Sequence, residues 1–107
     1  SSPGRSPASA AAAGPSVQLS VGVALAQTLP EGTAMMFSVD YETSRAPLDA
    51  VWCLKNGRGE MLRQPVRLDR QGNLSGVVPQ WRPEAGPFQS RIEDPNGRPL
   101  SRWIDMR

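Results

Sequence analysis

Few residues in this chain have side chains suited to reactive or ligand-binding chemistry, and they are scattered. There is one cysteine, Cys53, and no histidine. A single cysteine forms no intramolecular disulfide and no cysteine-based metal site. Without histidine, the usual zinc sets and histidine-dependent triads are missing. No base stands near Cys53 in the sequence to activate its thiol. Asp40, Glu42 and Asp49 define no acid–base pair, because nothing in their spacing brings two carboxylates together. The inventory implies no metal and no cofactor, and catalysis is not expected. The stretch "EDPNG", Glu93 to Gly97, offers two carboxylates and a proline, where a calcium loop needs several oxygen ligands at alternate positions. It reads as the corner of a hairpin. Asn73-Leu74-Ser75 matches an N-glycosylation sequon, a three-residue pattern that chance often produces.

Recognition chemistry is better represented. Trp81 and Arg82 lie in "PQWRPEAG", a loop stiffened by Pro79, Pro83 and Pro87. The indole either plugs one end of a core or, exposed with Arg82, grips a protein or a sugar. Trp103 depends on register. With Ile104 and Met106 facing the core it faces outward, where Arg91 is placed to form a cation–π contact or both residues meet a partner. A bulge would instead turn Trp103 inward and Arg102 outward. Trp81, Arg82, Trp103 and Arg91 are therefore the candidate contact residues.

Charge narrows the partners. Eleven of the twelve basic residues are arginine, against ten acids. The arginines are dispersed among carboxylates, with no basic stripe interleaved with aromatics, so nucleic acid is not an expected partner. No apolar run approaches the ~18–20 residues of a membrane span, so this segment is not expected to insert. A protein partner, or another domain of the same chain, fits better, with carbohydrate as the alternative and a monomer as the expected state of the isolated domain.

The elements that must position these residues follow from periodicity. Residues 1–16 read "SSPGRSPASAAAAGPS", and fifteen of the sixteen are Ser, Pro, Gly or Ala. Such a segment has little to bury against its ordering entropy, and is expected to be a disordered tether. A membrane anchor or a further domain is expected at its far end. From Val17 the pattern alternates. "VQLSVGVAL" puts Val17, Leu19, Val21, Val23 and Leu25 on one face, and "AMMFSVDYE" puts Met35, Phe37, Val39 and Tyr41 on one face. Ala50, Trp52 and Leu54 point inward on a third strand, which sends Cys53 the other way as a small edge hydrophobe or an exposed thiol. "MLRQPVRL" carries Pro65, which cannot donate to a ladder, so it is expected at an edge. "LSGVVP", "FQSRIED" and "LSRWIDM" complete seven strands, with Phe88, Ser90 and Ile92 inward on the sixth. The core is expected around Trp52, Phe37, Val39, Leu54, Phe88 and Ile92. Asp69-Arg70-Gln71-Gly72 and Asp94-Pro95-Asn96-Gly97 read as type I turns ending in a left-handed glycine.

Seven strands separated by turns over residues 17–107 predict an all-β, antiparallel β-sandwich. With Trp52 on the third strand and "GPFQSRIEDPNGRPL" as a final hairpin, the pattern resembles immunoglobulin-like and fibronectin type III-like modules. It departs from antibody-type domains in lacking paired cysteines and in carrying Phe88 where a corner tyrosine would stand. The resemblance implies a tethered module of an extracellular, cell-surface or periplasmic protein, acting as a spacer or in protein binding. The carbohydrate alternative requires Trp81 and Trp103 to be exposed.

Overall fold

The computed structural model describes residues 14–107. The expected tether, residues 1–16, therefore lies almost wholly outside the described residues. Its last residue, Ser16, is tied down. It exchanges hydrogen bonds with Ser44, Ser16 N to Ser44 Oγ at 2.9 Å and Ser44 N to Ser16 O at 3.0 Å.

Seven strands follow in order: β1 Val17–Leu29, β2 Gly32–Thr43, β3 Leu48–Lys55, β4 Met61–Leu68, β5 Gln71–Val78, β6 Phe88–Glu93 and β7 Ile104–Met106. A 3-10 turn, Pro83–Ala85, precedes β6. The strands form two antiparallel sheets, β1-β2-β5 and β4-β3-β6-β7. Side chains alternate across each strand, so one face of each sheet collects the apolar residues. Met35, Phe37, Val39 and Tyr41 from β2 join Ala50, Trp52 and Leu54 from β3, and Phe88 and Ile92 from β6, in one buried cluster. Pro65 lies on the outer strand of its sheet, as its missing N–H requires.

β1 departs from simple alternation. Its pairing with β2 runs Leu19 to Tyr41 and Ser20 to Asp40, then slips and resumes at Val23 opposite Ser38. The slip is a bulge at Val21 and Gly22, and Val21 takes φ 50°. Because the side-chain period is two, one extra residue exchanges the faces. Ala24 packs against the core, while Val21 and Leu25 are 68% and 50% exposed. Val21, Val23 and Leu25 thus do not continue the inward face begun by Val17 and Leu19. The cause is the approach of the chain's end. Arg107 N donates to Gly22 O at 3.1 Å, and Ala24 N donates to Arg107 O at 2.9 Å, which stitches β1 to the β7 end of the other sheet. A Cβ on Gly22 would lie 2.7 Å from Met106 Sδ and 2.9 Å from Asp105 O.

Two further corrections concern turns. Asp69 and Arg70 carry the chain from one sheet to the other, and Gly72 is a strand residue opposite Tyr41, not a left-handed turn residue. Its lack of a Cβ matters because Tyr41 Oη would sit 2.9 Å from one. The last strand is also shorter than "LSRWIDM". Pro99 bridges to Glu93, but Ile104 pairs with Ser90, so two residues are looped out between them. Ser101 Oγ accepts the Ile92 N–H at 2.8 Å in the interruption.

The bulge yields a paired prediction. Gly22→Ala should cost about 1–3 kcal/mol, the range for overpacking. Val21→Gly at the neighbouring exposed position should be close to neutral, because relief of left-handed strain offsets glycine's extra unfolded-state freedom. Urea titration of both variants checks it. A register without the bulge would reverse the order.

Candidate functional site on the outer face of the four-stranded sheet

β3 sends Trp52 inward and therefore Cys53 outward, while β6 sends Ser90 and Ile92 inward and Arg91 and Glu93 outward. Register then sets the neighbours. Cys53 lies opposite Arg63 of β4 on one side and Arg91 of β6 on the other. Glu93, two residues along from Arg91, shares its face. Its carboxylate accepts from Arg91 through Nε at 2.8 Å and through a second, shorter bond from Arg91 Nη2, and from Arg63 Nε at 3.4 Å. Under this cover Glu93 is 1% exposed and Cys53 has no exposure at all. The expectation of an edge hydrophobe or an exposed thiol is thus corrected: Cys53 is central in its sheet and roofed by charged side chains.

Trp103 extends the cluster. The looped-out residues before β7 leave it half-buried on the outer face, with Lys55 Nζ 4.4 Å and the Arg91 guanidinium 4.6 Å from the ring centroid. Cations over an indole face are attracted by its quadrupole. One guanidinium, that of Arg91, therefore meets both an anion and an aromatic ring. Beside this group, Arg63, Arg91, Glu93 and the Asp94–Gly97 corner line a shallow depression of about 380 Å3.

The titration of the pair follows from the geometry. Burial pushes the Glu93 carboxyl up, but hydrogen bonds from Arg91, Cys53 and Arg63 and the Arg91 charge outweigh it, holding Glu93 below the ordinary carboxylate value. Burial, reinforced by the Glu93 charge and its hydrogen bond, pushes the Cys53 thiol up to about 11. At neutral pH Glu93 is thus an anion between two arginines, and the Cys53 thiol beside it keeps its proton.

The other candidates lie elsewhere. Trp81 is 5% exposed and stacks on Phe88 at 6.0 Å between centroids, with its edge contact to Phe37 also at 6.0 Å. It closes one end of the core and is not available to a partner, because the 3-10 turn folds the indole inward. Arg82 donates to the carbonyls of Thr33 and Pro79, which ties the same loop to β2. Asp49 pairs with Arg67 at 3.1 Å, both well exposed. Asp40 accepts from Asn73 Nδ2 at 2.9 Å. That amide nitrogen also reaches Ser38 Oγ and Val39 O, so the sequon asparagine is engaged within the sheet. Asp94 is the corner residue expected: its Oδ1 accepts from the N–H groups of Asn96 at 2.9 Å and Arg98 at 2.8 Å, and Gly97 takes φ 91°.

Glu93 is the residue that sequence reading missed. Alternation places it outward, and outward ordinarily means solvated. The available signal was Arg91 two positions earlier, an opposite charge on the same strand face. Among known proteins, no family model, curated protein or solved structure matches the chain.

Two tests follow. Arg91→Ala strips a buried carboxylate of its main partner and should destabilise by about 3 kcal/mol. Arg67→Ala, which breaks a solvated pair, should cost less than ~0.5 kcal/mol. Stability against pH is the second. The folded Glu93 value is depressed, so its contribution is present above the ordinary carboxylate value of 4.5 and lost as pH falls through the lowered folded value. The folded Cys53 value is raised, so the unfolded chain releases its proton first and stability falls as pH rises from 9.0 toward about 11. Urea midpoints measured across pH should show both limbs. Glu93→Gln should flatten the acid limb and Cys53→Ala the alkaline one.

Proposed function

We propose that the chain is a non-catalytic module of an exported or surface-anchored protein, an immunoglobulin-like or fibronectin type III-like β-sandwich that binds another protein through the outer face of its four-stranded sheet. Strand order supports the fold half of this reading. β1-β2-β5 against β4-β3-β6-β7 is a three-plus-four division, with a shared core and a core tryptophan on the third strand. The single observation that carries the function half is the outer cluster. Arg63, Arg91 and Lys55 stand in a register fixed by the sheet, with Trp103 of the loop before β7 against them, around a carboxylate that has already lost its water. Arginine and tryptophan, pre-positioned on a rigid surface, are the side chains that carry most binding energy in protein interfaces. Arg63 has the most to offer, because its side chain is half-exposed and makes only long contacts, to Glu93 at 3.4 Å and to Met61 Sδ at 4.0 Å.

The non-catalytic part of the proposal is supported by Cys53. The one thiol in the sequence is buried and held protonated, the opposite of an activated nucleophile. No helix among the described residues is long and apolar enough to cross a membrane. The carbohydrate reading gains no support: Trp81 is buried, and two cations compete for the π surface of Trp103 that a sugar would stack on.

A photo-crosslinking residue placed at Arg63 should give a discrete adduct in extracts of the source cell surface, and the adduct should weaken at least tenfold when Lys55→Glu is added. The same residue at Arg45, in the loop after β2, should give none. Equal labelling from both positions, or an adduct indifferent to Lys55→Glu, would sink the assignment of this face.

A further inference from the structure

The two sheets end on different kinds of edge. β4 closes the four-stranded sheet, and its sequence carries Arg63, Pro65 and Arg67. Charges and a proline are the devices that keep an unpaired strand from joining another. β5 closes the three-stranded sheet and has none of them. "QGNLSGVV" holds no charge and no proline. Its register with β2 is unbroken from Gln71 opposite Glu42 to Val78 opposite Met35, so no bulge twists it away. Among the described residues, Val78 O accepts from Trp81 N, but the free-edge backbone groups of Gln71–Val77 have no hydrogen-bond partner beyond the ladder to β2. Gln71, Gly72, Asn73, Ser75 and Val77 are exposed. A groove of about 270 Å3 runs beside the strand, between it and β4; Leu54, Leu62, Val77 and Val78 line it with the Trp52 indole, and Arg63, Gln64 and Gln80 add polar groups.

We propose that this edge is an interaction surface and that its occupant is the β5 strand of a second copy of the chain, paired antiparallel about a two-fold axis. The sequence of the strand is what selects a second copy. Antiparallel pairing about Leu74 sets Leu74 opposite its own equivalent and Gly72 opposite Gly76. Each leucine then falls diagonally between two glycines, which leave room for it on the inner face. On the outer face Gln71 meets Val77 and Asn73 meets Ser75, and no like charges are brought together. A two-fold contact of this kind is closed, so it stops at the dimer. The strand is about 27 Å long. Backbone pairing over that length places the interface at the low end of stable contact areas, which predicts a weak dimer. This inference concerns the other sheet and stands independently of the outer-face reading above.

Sedimentation velocity on the full chain tests it. The average mass should rise from monomer toward dimer between about 10 µM and 1 mM, the range for a small interface. Ser75 is exposed and points away from the core, so Ser75→Lys and Ser75→Glu should keep the wild-type far-UV spectrum and melting temperature. Each variant alone should associate about two- to fivefold more weakly, because the two copies of position 75 are diagonal neighbours across the axis and carry like charges. An equimolar mixture of the two should recover association. Hydrogen exchange of those Gln71–Val77 amides that face the free edge, and not of those bonded to β2, should slow with rising wild-type concentration. A wild-type chain that stays monomeric at 1 mM overturns the proposal. So does association unaffected by Ser75→Lys, or a mixture no better than either variant. Concentration-independent protection of those free-edge amides in a monomer would place another segment of the chain on the edge, and would equally overturn it.

Discussion

The Trp52 indole N–H donates to Ser90 Oγ at 2.7 Å inside the core, and the arrangement of both sides of the four-stranded sheet depends on that bond. A buried indole N–H without a partner costs more than a typical bond contributes, so the position of Ser90 is constrained as strongly as that of the ring. The bond holds β3 and β6 with Trp52 opposite Ile92 and Leu54 opposite Ser90. Alternation then leaves no choice on the other face. Cys53 must adjoin Arg91, and Glu93 must stand beside them. A one-residue slip of β6 would turn Arg91 and Glu93 toward the core and Ser90 and Ile92 away from it.

The outer cluster is ionic and partly desolvated, and such groups are weak evidence for stability in themselves. The attraction between Arg91 and Glu93 is opposed by the loss of hydration of both. What the cluster supplies is geometry. Arg91 contacts Glu93 on one side and Trp103 on the other, so a flexible arginine is held in one rotamer. A side chain ordered before binding loses less entropy on meeting a partner. The exposed Asp49–Arg67 pair on the same sheet has no such support and represents an ordinary solvated contact.

Among the described residues, the two sheets are joined on one side by the bonds between Gly22, Ala24 and Arg107, while on the other side β4 and β5 are edge strands. This asymmetry and the β1 bulge are two sides of one contact. Only a chain that swings toward β7 at Gly22 can serve both sheets, and the swing needs a residue without a side chain at the crossing. The outer surface of the smaller sheet inherits Val21 and Leu25 as a result.

Much of the architecture was already present in the sequence. Alternating apolar residues determined the strands, their inner faces on β2, β3 and β6, and the edge position of the proline-bearing β4. Asp94, Pro95 and Gly97 determined the last corner, because turn preferences act within four residues. The face exchange in β1 was signalled only by Gly22, and a lone glycine does not say whether it marks a bulge or a weak strand position. Long-range packing decided the rest. Trp81 is buried because Phe37 and Phe88, far apart in the chain, meet beneath it. Glu93 loses its water because Arg63 and Arg91 come from two different strands to cover it. Local sequence sets which way a side chain points; whether it then meets solvent, a ring or an opposite charge depends on residues that only the tertiary fold brings within reach.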